Sequence, residues 1–97
     1  MNQLIFQIDG IAGVMPALET LGREITRLRG SERVSAGEVQ SLASDLTRIR
    51  LLLNELERKD VCENGASKEA AVRCLELEGM IRVLRSDLDQ IMMRVSA

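Results

Sequence analysis

The chain has 97 residues, 45% of them hydrophobic and 29% charged, with a formal net charge of -2. This composition is too apolar for a disordered chain, and the length allows one small domain over residues 1–97. The interleaved charges argue against a nucleic-acid or membrane surface, and the absence of histidine removes the commonest general base and metal ligand.

The N-terminal segment is apolar but contains residues that weaken a helix. Gly10 and Gly13 each cost about 1 kcal/mol relative to alanine, and Pro16 cannot donate a backbone hydrogen bond. Two interpretations remain open for residues 1–13: a kinked helix that starts near residue 3, or an apolar arm that precedes the first helix. We favour a break near residues 10–16.

Apolar residues recur at alternating spacings of three and four in three segments, which places them on one helix face and repeats every seven residues. This pattern predicts helices over about 15–29, 36–59 and 68–95. We call these apolar positions the seam. In chain order they are Leu4, Ile11, Val14, Leu18, Leu21, Ile25, Leu28; Val39, Leu42, Leu46, Ile49, Leu53, Leu56; and Ala70, Cys74, Leu77, Ile81, Leu84, Leu88, Ile91, Val95.

Several residues are typical of helix ends. Gly30 follows two arginines and is free to adopt a left-handed conformation that ends the first helix. Ser35 and Glu38 have the spacing of a capping box. The second helix is expected to stop near Lys59, because the next seam positions are charged. Ser67 is a candidate cap for the third helix.

The short connections between the predicted helices favour antiparallel neighbours. The sequence therefore predicts an all-α fold of three antiparallel amphipathic helices with coiled-coil-like heptad packing, as part of a larger oligomeric helical bundle. No apolar run approaches the roughly 20 residues that span a bilayer, and the N-terminus does not resemble a secretory signal. We expect a cytoplasmic protein with reduced thiols. Its arginine-rich basic set is typical of a bacterial or phage genome.

The two cysteines have alternative interpretations. Cys74 lies on the seam, where a buried and inert thiol is the simplest expectation. Cys62 is predicted just past the second helix, close enough to the start of the third for a disulfide to be geometrically possible. Their spacing does not match the Cys-x-x-Cys motif of redox enzymes.

The charged residues do not form a recognisable catalytic set. Acidic pairs such as Glu76 and Glu78 are two residues apart and diverge around a helix, so we predict no enzyme activity and no catalytic residue, cofactor or metal site. The strip from Arg23 to Arg33 provides an alternative function, a helical nucleic-acid-binding regulator. Interspersed glutamates explain the same strip as pairing within the helix, so a nucleic-acid partner is not the favoured prediction.

A second apolar stripe on the third helix points away from the seam and needs a cover of its own. We predict that the protein is a non-enzymatic interaction module, a small adaptor, chaperone or regulator. Its partner is a further copy of the chain, as a homodimer or higher oligomer that associates through the third helix or the N-terminal arm, or another protein. The predicted partner-binding residues are Val72, Leu75, Gly79, Val83, Met93, Leu51, Ile5 and Phe6.

Overall fold

A computed structural model describes residues 8, 10–65 and 67–96, without the side chain of residue 96. This part of the chain contains a short 3-10 helix, Ile11–Gly13, and three α-helices. The α-helices are α1 (Val14–Arg29), α2 (Ala36–Asn64) and α3 (Lys68–Ser96). Over the described residues there is no β-strand, and the prediction of an all-α chain with three helices is confirmed.

Helix α1 begins where the 3-10 helix ends, so the chain changes helix type at Gly13 and Val14. Pro16 lies in the first turn of α1, where its missing N–H removes no hydrogen bond within the helix. The first helix ends at Gly30 as predicted, but Gly30 is not left-handed: its φ is -84°, and its amide still donates to the carbonyl of Thr26 as in a helix. The choice between an arm and a kinked start near residue 3 lies outside the described residues.

Helix α2 begins at the predicted capping box, which is confirmed. The Ser35 hydroxyl accepts from the Glu38 amide at 3.2 Å, and the Glu38 carboxylate accepts from the Ser35 amide at 3.0 Å. The predicted end near residue 59 is wrong, because α2 continues to Asn64. Its exposed last turns need no apolar cover, and they end at Gly65, whose φ of +75° suits glycine.

Helix α3 begins after Ser67, as predicted. The Ser67 hydroxyl accepts a hydrogen bond from the amide of Ala70 at 3.0 Å, which satisfies one of the free amides of the first turn. The residues that join α2 to α3 are therefore only 65–67. Such a short connection keeps the facing ends of the two helices together.

The seam forms the core. Helices α2 and α3 contact each other, and both contact α1. Gly22 of α1 faces Leu84 of α3 closely enough that a Cβ on Gly22 would lie 3.5 Å from the Leu84 side chain. The fully or nearly buried seam residues are Val14, Leu18, Leu21, Ile25, Leu28, Val39, Leu46, Ile49, Leu53, Cys74, Leu77, Ile81, Leu88 and Ile91.

The three helices differ in length. Helix α1 has 16 residues and α2 and α3 have 29 each, which corresponds to about 24 Å against about 43 Å. Contacts of α1 with Leu84 and Asp87 place it beside the C-terminal half of α3. Beyond its reach lies the distal segment, residues 54–73, in which no described side chain is buried. The core is therefore concentrated toward one end of the molecule.

Candidate protein-interaction surface

The largest set of exposed apolar side chains on one helix lies on α3. Met93 is 72% exposed, Leu75 66%, Val83 61% and Val72 47%. They occupy a row spaced by three and four residues that runs from Val72 to Met93, and none of its seven positions carries a charge, although Lys68 continues the same row at the start of the helix. We call this row the outer face of α3: Val72, Leu75, Gly79, Val83, Ser86, Gln90 and Met93.

The outer face points away from the core because of the helical repeat. Leu75 and the fully buried Leu77 are two residues apart, which rotates their side chains by about 200° around an α-helix. Gly79 and the buried Ile81 have the same relation. The helix therefore has two apolar sides: the seam side is buried in the core, and the outer face is exposed.

Gly79 leaves a depression in the middle of the outer face. A Cβ atom at this position would meet no atom of the described parts of α1 and α2 within 4 Å, so neither helix requires glycine here. Glycine inside a helix costs about 1 kcal/mol relative to alanine. The position therefore has a stability cost that no contact within the described chain explains.

Charged residues line both edges of the outer face. At about 100° per residue, Glu76 and Arg94 lie along one edge, and Arg82 and Asp89 lie along the other. Within the described residues the ion pairs are Arg27 with Glu24 and Arg29 with Asp87, so none of these four edge residues takes part in one. Arg94 does donate a hydrogen bond to the carbonyl of Arg29 at 3.3 Å.

Among the remaining predicted partner-binding residues, Leu51 does not extend this face. Leu51 on α2 is 58% exposed, but its neighbours one turn away are polar, including Arg48 and Glu55, so it stands alone. Residues 5 and 6 lie outside the described residues. Sequence reasoning missed Val61, which is 48% exposed in the distal segment, because it ended α2 too early.

Asp45 is a buried charged residue that the seam did not reveal. Its side chain is 5% exposed, and its Oδ1 atom has no hydrogen-bond partner among the described residues. Burial raises the pKa of the Asp45 carboxyl, and the charge of Arg48 opposes this effect. Asp45 lies seven residues before Leu52, which flanks the seam. This spacing places both side chains on the same side of α2 and could have predicted that Asp45 is partly directed toward the core.

Replacement of Asp45 by asparagine is expected to raise the free energy of unfolding at pH 7 by about 1 kcal/mol, because it removes a charge that burial disfavours. A carboxyl whose pKa is raised on folding stabilises the folded state most when it is protonated, so wild type should regain this stability as the pH falls. The difference between Asp45→Asn and wild type should therefore shrink between pH 7 and pH 4. Urea denaturation at both pH values measures this difference in the free energy of unfolding. A difference that does not change with pH would contradict the raised pKa of Asp45.

The two cysteines are free and occupy different environments. Cys62 lies exposed within α2, and not past its end as predicted, while Cys74 is 2% exposed on the seam of α3. Burial raises the pKa of the Cys74 thiol, with a further contribution from the carboxylates of Glu57 and Glu78. A buried thiol with a raised pKa is a poor nucleophile.

The arginine strip is partly neutralised by its own chain. Arg27 forms an ion pair with Glu24 at 3.0 Å, and Arg29 pairs with Asp87 of α3. Arg23 donates to the Thr20 hydroxyl. Two of the guanidinium groups that would contact a phosphate backbone thus already have carboxylate partners.

A shallow groove between α2 and α3 has a volume of about 370 Å³. Three arginines line it, Arg50, Arg82 and Arg85, together with Glu78, and Arg85 donates to the Thr47 hydroxyl at 2.7 Å. Neither Asp45 nor Cys74 lines this groove. Across the described residues, no three His, Cys, Asp or Glu side chains come together in a way that could hold a metal ion.

Comparisons with known proteins do not assign the chain to a group: no protein-family model, curated protein or solved structure matches it. None of the described helices combines the length and the apolar character needed to cross a membrane. The interpretation of the outer face therefore depends on its own residues.

Proposed function

We propose that the protein is a non-enzymatic interaction module, an adaptor, chaperone or regulator, that acts by presenting the outer face of α3 to another protein chain. One observation carries this proposal. Val72, Leu75, Val83 and Met93 form an exposed apolar row on a helix whose opposite side already supplies the core.

Burial of the apolar side chains of this row against a partner is energetically favourable. A single exposed leucine is ordinary, but four large apolar side chains on one helix face, with Ser86 and Gln90 between the last two, keep considerable apolar surface in water. Full burial of a valine, leucine or methionine side chain contributes roughly 1.5–3 kcal/mol, and these side chains are about half exposed or more. Their combined burial is large enough to offset part of the entropic cost of association.

The proposed module includes the finer architecture expected from the sequence, in which the three helices pack antiparallel in sequence order with coiled-coil-like heptads. The short connection at residues 65–67 supports this arrangement for α2 and α3. The hydrogen bond between Thr47 and Arg85 joins the middle parts of the same two helices. The burial of the seam at its three- and four-residue spacing supports the heptads.

The chemistry of the face suits a contact surface. Methionine is flexible and polarizable, so Met93 at one end of the row can adapt to the shape of a partner. Ser86 and Gln90 provide hydrogen-bonding groups without charge, and the flanking charged residues provide a polar rim. An apolar centre with a charged rim is the usual composition of a protein interface.

The proposal is tested by photo-crosslinking in cells of the source organism. A photoreactive benzoylphenylalanine at position 75 is expected to form a covalent adduct with a protein chain, because the outer face is covered in the cell. The same residue at position 51, which replaces a similarly exposed but isolated leucine, is the matched control. Denaturing gel electrophoresis and mass spectrometry identify the adducts.

An adduct at position 75 that is absent at position 51 supports an interaction through α3. No adduct at position 75, in a variant with wild-type helical circular dichroism, would rule out the outer face as the contact surface. The mass of the adduct also states whether the partner is the chain itself or a different protein.

A further inference from the structure

We propose that the outer face of α3 is covered by a second copy of the chain whose α3 lies antiparallel to the first, with Met93 of each copy seated over Gly79 of the other. This inference rests on the proposed function and names its partner. It follows from the shape of the outer face and from the charges along its edges.

The depression at Gly79 in the outer face has room for a large side chain of a second helix. The missing side chain leaves a depression flanked along the row by Leu75 and Val83, and no described residue outside the neighbouring helix backbone has an atom within 4 Å of a Cβ at this position. Met93 is the most exposed of the large apolar side chains described, and it lies at the C-terminal end of the same row. A flexible, unbranched side chain of this kind fills such a depression well, as a knob fills a hole between two helices.

Placing Met93 over Gly79 fixes the register. In a symmetric antiparallel pair the contact between Met93 and Gly79 forms twice. The two-fold axis passes midway between these two positions, at Ser86. A serine at the axis allows the two helices to approach closely. Val83 then lies opposite Gln90 of the second copy, and Leu75 lies beside Met93 of the second copy.

The same register brings opposite charges together. In an antiparallel pair each edge of the outer face meets the same edge of the second copy. Glu76 then lies about one half-turn from Arg94 of the second copy, and Arg82 lies next to Asp89 of the second copy. Each contact occurs twice, which gives four complementary pairs. The pairs use charged residues that form no ion pair within the described chain.

A parallel, in-register pair fits the outer face less well. It would place Gly79 against Gly79 and leave the depression unfilled. It would also direct Arg82 toward Asp87, which already pairs with Arg29 of its own chain. The dipoles of two parallel helices that lie side by side repel each other, whereas those of two antiparallel helices attract each other. The filled depression, the free charges and the dipoles all favour the antiparallel pair.

Light scattering of the full chain over a range of concentrations is expected to show a dimer for wild type. Arg82→Glu and Asp89→Arg should each raise the dissociation constant, roughly threefold to tenfold, because each brings like charges together at two places. The double variant should restore the wild-type value, since it exchanges the two partners. Leu75→Glu should dissociate the dimer, while Leu51→Glu, the matched control, should not.

Disulfide trapping tests the axis directly. In a Cys62→Ser background, Ser86→Cys is expected to form a covalent dimer on oxidation, because the two positions meet. Val72→Cys should not do so within a dimer, because its two copies lie about 42 Å apart along the helix axes. Circular dichroism of each variant shows whether it is folded.

The antiparallel pair would be overturned if Val72→Cys formed the covalent dimer as efficiently as Ser86→Cys. It would also be overturned if the double variant of Arg82→Glu and Asp89→Arg did not restore the dimer. A wild-type chain that stays monomeric up to millimolar concentration would overturn the second copy as partner. Neither result removes the proposed function, which fails only when position 75 gives no adduct in the cell. The two proposals therefore fail by different observations.

Discussion

Replacement of Leu77 by aspartate is expected to unfold the chain. Leu77 is 0% exposed and lies on the seam of α3. A carboxylate there would lose its water without gaining a partner, which costs several kcal/mol. The total stability of a domain is only about 5–15 kcal/mol, and a chain of this size is near the lower end. Far-UV circular dichroism and thermal denaturation measure the loss.

Leu75→Asp is the matched control for this prediction. The two leucines are two residues apart on the same helix, and Leu75 is 66% exposed, so its replacement should leave a cooperative thermal transition. Leu77→Ala should give an intermediate result, a loss of about 2–5 kcal/mol, because it leaves a cavity but buries no charge. Cooperative melting of Leu77→Asp at the wild-type temperature would show that Leu77 is not part of the core.

The second large effect concerns thiol reactivity. At pH 8, Cys62 is expected to react with a thiol reagent about a hundredfold or more faster than Cys74. Cys62 is exposed, whereas Cys74 is 2% exposed and becomes accessible only when the helices separate. Burial also raises the pKa of the Cys74 thiol, which lowers the fraction of reactive thiolate at this pH. Time-resolved absorbance with a chromogenic disulfide reagent measures both rates.

Cys62→Ser should remove the fast phase and leave the slow one. In denaturant both thiols should react rapidly, with two equivalents per chain, since both cysteines are free. Two equal rates in the folded protein would contradict the burial of Cys74. A folded chain without any reactive thiol would instead indicate the disulfide that the sequence left as an alternative.

The core could be predicted because its signal is local. Leu46, Ile49 and Leu53 are all fully buried, and their spacing of three and four residues alone places them on one face of a helix. The cap at Ser35 was equally predictable, because a hydroxyl three residues before a glutamate satisfies free amides in a recognisable way. Such features depend on neighbours in sequence and not on the remaining chain.

The errors arose where local rules compete. The end of α2 was placed too early because the apolar pattern stops near residue 59, yet a helix continues without a core until glycine ends it at Gly65. Asp45 was assigned to no site because only seam positions were considered. Its burial depends on what packs beside the seam, which spacing alone does not define.

The outer face was predicted from the same periodicity as the core, since Val72, Leu75 and Val83 fall outside the seam at helical spacing. The structure places all three as exposed residues on α3. Which edge charges are already paired could not be predicted from the spacing, because the ion pair of Arg29 with Asp87 joins residues that are far apart in the sequence.

The unequal helix lengths have a consequence for how the molecule opens. Residues 54–73 contain no fully buried described side chain and few partly buried ones, such as Leu56, so separating α2 from α3 there exposes less apolar surface than separating them near the core. Amide protons should exchange fastest around Gly65 and most slowly near Ile49 and Leu88. We therefore expect α2 and α3 to separate first at the ends that Gly65 joins. Val61 and Val72 lie on this portion, so local separation of α2 from α3 changes the surroundings of both side chains at a small cost in stability.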